Sequence, residues 1–449
     1  MTPAQPNSSV AALFEAPSLA APISTRAPSR LWRVLVFPVK LFWGMAFCQS
    51  VLGSIFVVGW SYRLAQRSVL KYWWSCRPSS QAQLTFNDFL AGNEQTRVHR
   101  HWPNWFAQQN FREAICAQPH LSWFRRAFTF TRALVHSLWL NFWLGLRAIT
   151  NTWALTLPAC LFWWFGWYDG WNNSFNKGYE QAPAGPLISI FGIFLFIAAM
   201  FYVPLAQARQ CATEEWRSFF QFGLVWSIVR LRWFASVCLA LLYSLLALPL
   251  NILKTATMFQ PQRNAGLDHL TDAQVLKHLD GYFFWCALLV LPAYVILRLA
   301  AARVYASGIL TLVQTGRVSL AELSEPEREP LQRLALPEQS QPRRRHFLVR
   351  SLEWAGTRFG RVASAVALGL IWFSFVAQIY VAEFFQYHHG LGWINQPLVQ
   401  LPWFHYLPTR LKNPWSELVF ALLVWLVALL ISSVLRLLPE KLVSKGRVP

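Results

Sequence analysis

Ile149–Tyr168 (ITNTWALTLPACLFWWFGWY) runs for twenty residues without one charged side chain. That is the length an α-helix needs to cross the hydrocarbon of a bilayer. Every backbone N–H and C=O must be satisfied internally there, so the segment is expected to be a helix. The residues just before it have a different character. Between Ser122 and Arg147, the side chains Arg125, Thr129, Arg132, His136 and Arg147 fall on one line of a helix, while Trp123, Phe130, Leu134 and Leu138 lie opposite. This pattern predicts a basic surface helix over 122–147 leading into a span, with Arg125, Arg132, His136 and Arg147 as a stripe for lipid headgroups.

The rest of the chain repeats this theme. Apolar stretches at 41–62, 149–168, 185–208, 233–253, 282–297, 362–385 and 415–438 predict an all-α, polytopic integral membrane protein. It would have seven transmembrane helices, or six if the first segment enters without crossing. Amphipathic surface helices are expected at 122–147 and 213–232 on the cytoplasmic side. Thr213-Glu214-Glu215 reads as the start of the second, with Gly223 ending its first piece. Gly44, Gly53 and Gly59 in the first stretch permit close helix contact. Residues 1–40 form a Pro-, Ala- and Ser-rich tail, expected to be disordered, with a short lead-in. Residues 315–345, with Glu322, Glu325, Glu327 and Glu329 among prolines, read as a charged linker, and 346–449 carries the last two spans and a basic tail. His388–Pro414 reads as a turn rich in Trp and Pro.

Charge decides the partner and the orientation. The chain holds 40 Lys+Arg against 20 Asp+Glu, yet only 13% of its residues are charged, about half the ~25% of a soluble domain. The basic residues sit between apolar stretches rather than in one patch, which argues for a bilayer with anionic headgroups and against nucleic acid. Segments 63–147, 209–232, 298–361 and 436–449 hold 11, 4, 11 and 4 of them, while 1–40, 170–184, 254–281 and 386–413 hold 4, 1, 3 and 2. Basic flanks stay in the cytoplasm, so the C-terminus is expected there. The 25 tryptophans suit the headgroup level. Seven cysteines, with no close pair, give neither a disulfide framework nor a zinc spacing.

The order Pro204, Ala206, Ala208, Arg209, then Trp216-Arg217-Ser218-Phe219-Phe220-Gln221-Phe222 and Val225 resembles uncharacterised bacterial multi-pass membrane families. In these a span ends in Pro, Ala and Arg before a Phe-rich segment. The resemblance covers residues 185–255 and, more weakly, 50–70. It implies a bacterial inner-membrane protein and assigns no catalytic residue.

Chemical signals are sparse. Away from their ends, spans two to seven contain no Asp, Glu, Lys, Arg or His, where proton-coupled carriers place ionisable groups. Gln378, Ser244 and Ser432 suffice for interhelical hydrogen bonds. The one constellation lies at the predicted outer ends, where Asp169, Asp280, Glu383 and Glu417 accompany His388, His389 and His405. Converging carboxylates and imidazoles there would suit acid–base work or a divalent cation, whereas the bland reading is that spans end in polar residues. His99 and His101 lack a third ligand, and phosphate loops, a GxSxG elbow and HExxH are absent. No cofactor or metal is expected. The sequence therefore predicts a non-enzymatic membrane scaffold that engages lipid, a membrane-protein partner or a second copy of itself. A carrier of lipid or apolar solute and an outer-face carboxylate enzyme are the alternatives.

Overall fold

The computed structural model describes residues 30–91, 123–166, 184–263, 270–336, 347–377 and 395–405. The chain divides into two compact units, residues 1–42 and 43–449. The described part of the first is the leading portion of α1 (Arg30–Phe47), which carries Pro38. The second unit holds all the remaining elements.

Helices account for the regular structure, and no strand occurs among the described residues. In order they are α2 (Val51–Ser75), α3 (Phe86–Ala91), α4 (Trp123–Phe165), α5 (Ala184–Thr213), α6 (Phe222–Leu231), α7 (Trp233–Arg263), α8 (Asp272–Gln314), α9 (Glu325–Arg333) and α10 (Phe347–Ala377). Among the described residues, three stretches are long and apolar enough to cross a membrane: Leu187–Thr213, Trp233–Thr257 and Asp272–Gln314. They contain the predicted spans 185–208 (from its third residue), 233–253 and 282–297.

Several expectations are corrected. The stretch 41–62 is not one helix, because α1 ends at Phe47 and Ser50 starts α2. Ser50 is extended at φ −124° and ψ 151°, and its Oγ accepts the Gly53 N–H at 3.0 Å, a strong N-cap that an apolar count overlooks. The basic segment 122–147 and the apolar segment 149–168 lie largely on one helix, α4, of 43 residues, about 65 Å long and carrying Pro158. Thr213 ends α5 rather than starting a helix. Glu214 follows in the left-handed region at φ 58°, and a 3-10 turn, Trp216–Phe220, precedes α6. Gly223 lies inside α6. The predicted span 362–385 begins within α10 and is described to Ala377, and 415–438 lies outside the described residues.

The linker assignment also fails over its described part. Ser324 caps α9 and exchanges bonds with Glu327 in a capping box, while Ser319 and Glu322 do the same for the preceding turn. This piece packs against the bundle: the Gln81 side chain donates to Arg333 O at 3.1 Å, and Arg333 donates to Phe89 O at 3.2 Å.

Glycines set the closest helix crossings. A Cβ on Gly59 would lie 1.8 Å from Asn141 O, and one on Gly145 would lie 2.0 Å from Ile55 O, so α2 and α4 meet backbone to backbone. Gly192 of α5 brings its backbone against Ala159 and Trp163 of α4 in the same way. The Trp73 indole then ties α2 to α8 by donating to Ala306 O at 3.0 Å.

Candidate functional site

Past Leu297 the buried stripe of α8 does not stop. Tyr294, Arg298, Ala301 and Tyr305 recur at helical spacing, and all four are buried. The helix thus carries a guanidinium and a phenol into the packed interior, and α5 does likewise with Arg209.

Arg209 is met by a carboxylate. Its Nε and Nη2 donate to Glu327 Oε1 and Oε2 at 3.2 and 3.4 Å. The Tyr305 hydroxyl donates to Glu327 Oε1. Oε2 also accepts the Ser324 N–H and hydroxyl at 3.1 and 2.7 Å. Glu327 is fully buried with its acceptor capacity used on both oxygens, so this centre fastens α9 to α5 and α8 and offers a ligand little.

Arg298 has no carboxylate partner among the described residues. Its Nη2 donates to Tyr294 Oη at 3.1 Å and to Val399 O at 2.7 Å, and its cation lies 4.6 Å from the centre of the Tyr294 ring and 6.0 Å from that of Tyr62. Tyr243 of α7 stands beside the same guanidinium. Aromatic faces and carbonyl dipoles thus replace a counter-ion.

The Val399 carbonyl belongs to a non-helical strap, residues 395–405, buried almost throughout. The sequence places it in a turn rich in Trp and Pro, 388–414. Buried backbone without helix must find other partners. Here Gln207 also donates to Val399 O at 3.1 Å, and Gln400 donates to Thr156 Oγ1 at 2.7 Å. Asn395 braces the strap internally, accepting Leu401 N–H at 3.0 Å and donating to Trp403 O at 3.1 Å.

Between the strap, α5, α7 and α10 lies a small half-open cleft with an accessible volume of about 60 Å³. Phe196, Met200, Leu250, Ile371 and Leu398 give it apolar walls. Its polar lining among the described residues is Tyr243, Ser244, Asn251, Lys254, Ser374 and Gln396. Lys254 is 1% exposed. The Asn251 amide donates to Ser374 O at 3.1 Å and closes α7 onto α10 at this end.

No protein-family model, characterised protein or solved structure matches the chain.

The predicted site residues whose side chains the structure describes, Arg147, Asp280 and His405, do not line this cleft. Arg125, Arg132 and His136 lie on the first half of α4 with side chains outside the described set, and Arg147 is exposed. Asp169, Glu383, Glu417, His388, His389, His99 and His101 lie outside the described residues. Of the outer constellation, the structure brings together Asp280 and His405, whose Nε2 lies 3.0 Å from Asp280 Oδ1. Among the described residues no group of three metal-ligating side chains occurs. That Arg209, Lys254, Arg298 and Glu327 are interior groups escaped the sequence reading, because each sits at a span end or in an assumed linker. The continuing stripe Tyr294–Arg298–Tyr305 was the signal available.

Proposed function

We propose that the protein is a multi-pass membrane protein of the bacterial inner membrane, with its basic connections and C-terminus cytoplasmic, that holds an amphiphilic lipid-like molecule in the cleft between α5, α7 and α10. The supporting observation is the cleft itself: apolar walls, polar groups from α7, α10 and the strap, and that buried strap as one wall. Ligands of lipid chemistry need this mixture, because the chain must leave water and the head must be paired. The resemblance to multi-pass bacterial families accords with this reading. Exposed Trp354, Phe359, Val366 and Phe373 on α10 suit contact with acyl chains. The role is non-enzymatic, since the described carboxylates are spent on structural pairs or lie at the surface.

Lipid analysis of the full chain purified in mild detergent tests this. A co-purifying lipid is expected that is lost in Ala247→Trp, which fills the cleft. Equal lipid content in both proteins would overturn the reading. Carriage of the same molecule across the bilayer is a second reading, favoured by the strap, because carriers place irregular backbone beside a ligand cavity. Vesicle uptake abolished by Ala247→Trp would establish it.

A further inference from the structure

We propose that Arg298 and the phenols around it form a binding site for a small monovalent inorganic anion of halide size. The proposal is independent of the cleft function. Arg298 is 3% exposed and lies inside Asp272–Gln314, a stretch apolar enough to cross a membrane. A guanidinium is not discharged by losing its proton, so the fold must compensate the charge. Neutral groups of the chain do this on one side. Nη2 spends both its hydrogens on Tyr294 Oη and Val399 O, and the Tyr294 ring lies against the cation. Nε and Nη1 make no well-formed hydrogen bond among the described residues. Dipoles and ring faces solvate a cation, but they bring no net charge to those two nitrogens.

The surroundings hold further donors. Tyr62 of α2 and Tyr243 of α7 flank the same guanidinium and are 1% and 2% exposed. Their hydroxyls, too, are without a well-formed hydrogen bond among the described residues. Phenol O–H and guanidinium N–H groups all donate, so an acceptor carrying full negative charge suits the space between them, and a cation does not. The charge is single, because one guanidinium balances one negative charge and a divalent ion would bury an excess. Arg209, the other fully buried arginine among the described residues, is already paired with Glu327. The approach sets the size. Tyr243 and Val399, which both border Arg298, also line the cleft, and its accessible volume of about 60 Å³ admits a halide with a few waters.

The test follows the thermal unfolding midpoint of the full chain in an uncharged detergent at fixed ionic strength, with potassium gluconate replaced stepwise by chloride, bromide or sulfate. Chloride and bromide are expected to raise the midpoint by a few degrees along a saturable curve, and sulfate to give no saturable rise. Arg298→Met should abolish the halide effect. Tyr243→Phe, which keeps the ring, should weaken the apparent affinity for chloride by about tenfold, the scale of one hydrogen bond to a charged group. Equal midpoints in gluconate and chloride for the unaltered protein overturn the proposal and leave a carboxylate of the chain itself as the counter-ion. A halide effect that survives unchanged in Tyr243→Phe shows an ion bound elsewhere and overturns the site. A saturable rise with sulfate equal to that with chloride overturns the monovalent charge. The unaltered protein and Tyr243→Phe decide the matter even if Arg298→Met fails to fold.

Discussion

Glu327 collects hydrogen bonds from three residues, on two helices and in its own cap, and of these Arg209 and Tyr305 are buried and Ser324 half-buried. Removing its charge strands Arg209 in the interior, and breaking a buried pair from one side costs about 3–5 kcal/mol. Glu327→Gln should therefore lower the thermal unfolding midpoint of the detergent-solubilised protein strongly. Replacing both partners, Arg209→Met with Glu327→Leu, should recover some of the loss, and a double variant no better than the single one would show that the Ser324 cap dominates. Nearby, exposed Glu322 accepts the Ser319 hydroxyl at 2.8 Å and its N–H at 3.2 Å, which holds its carboxyl below the ordinary value of 4.5. A depressed carboxyl stabilises the fold above its unfolded value, and that contribution fades as pH falls through the folded one. A carboxyl-resolved NMR titration should find Glu322 low, and Ser319→Ala should return it upward.

Among the elements, the α2–α4 crossing is the most constrained. Gly59→Leu or Gly145→Leu must push apart backbones now in contact, and a loss of about 3 kcal/mol or more is expected, the scale of severe overpacking. Gly223 has open space and lies in α6, so Gly223→Ala should be neutral or stabilise by up to about 1 kcal/mol. Unfolding midpoints of the three variants check both statements. The legibility of these elements in the sequence was uneven for physical reasons. The uninterrupted apolar stretches of α5, α7 and α8 were plain because hydropathy reports transfer to hydrocarbon directly. Gly59 was read correctly as a contact residue. The break at Ser50 was hidden because one hydroxyl cap outweighs the apolar neighbours on either side. The strap and the cleft were invisible, since both depend on residues 395–405 meeting α4, α5 and α8 across long sequence separations, and no local period encodes that.

For the molecule as a whole, three apolar helices and a large excess of basic residues predict retention in the membrane fraction after alkaline carbonate washing. The charge bias further predicts a cytoplasmic signal from a reporter fused after Gly316. Release into the soluble fraction, or an external signal from that fusion, would remove the membrane reading altogether. The strap adds an order of events. Ribosomes deliver residues 395–405 after every helix that surrounds them, so during synthesis Arg298 and Gln207 wait without the Val399 carbonyl that later occupies both. Until that piece arrives the nascent bundle has an unfilled polar interior, a state that quality-control proteases and insertion chaperones are suited to detect. Chains truncated before Asn395 should accordingly be short-lived in cells even though every span from α5 to α8 has already been made.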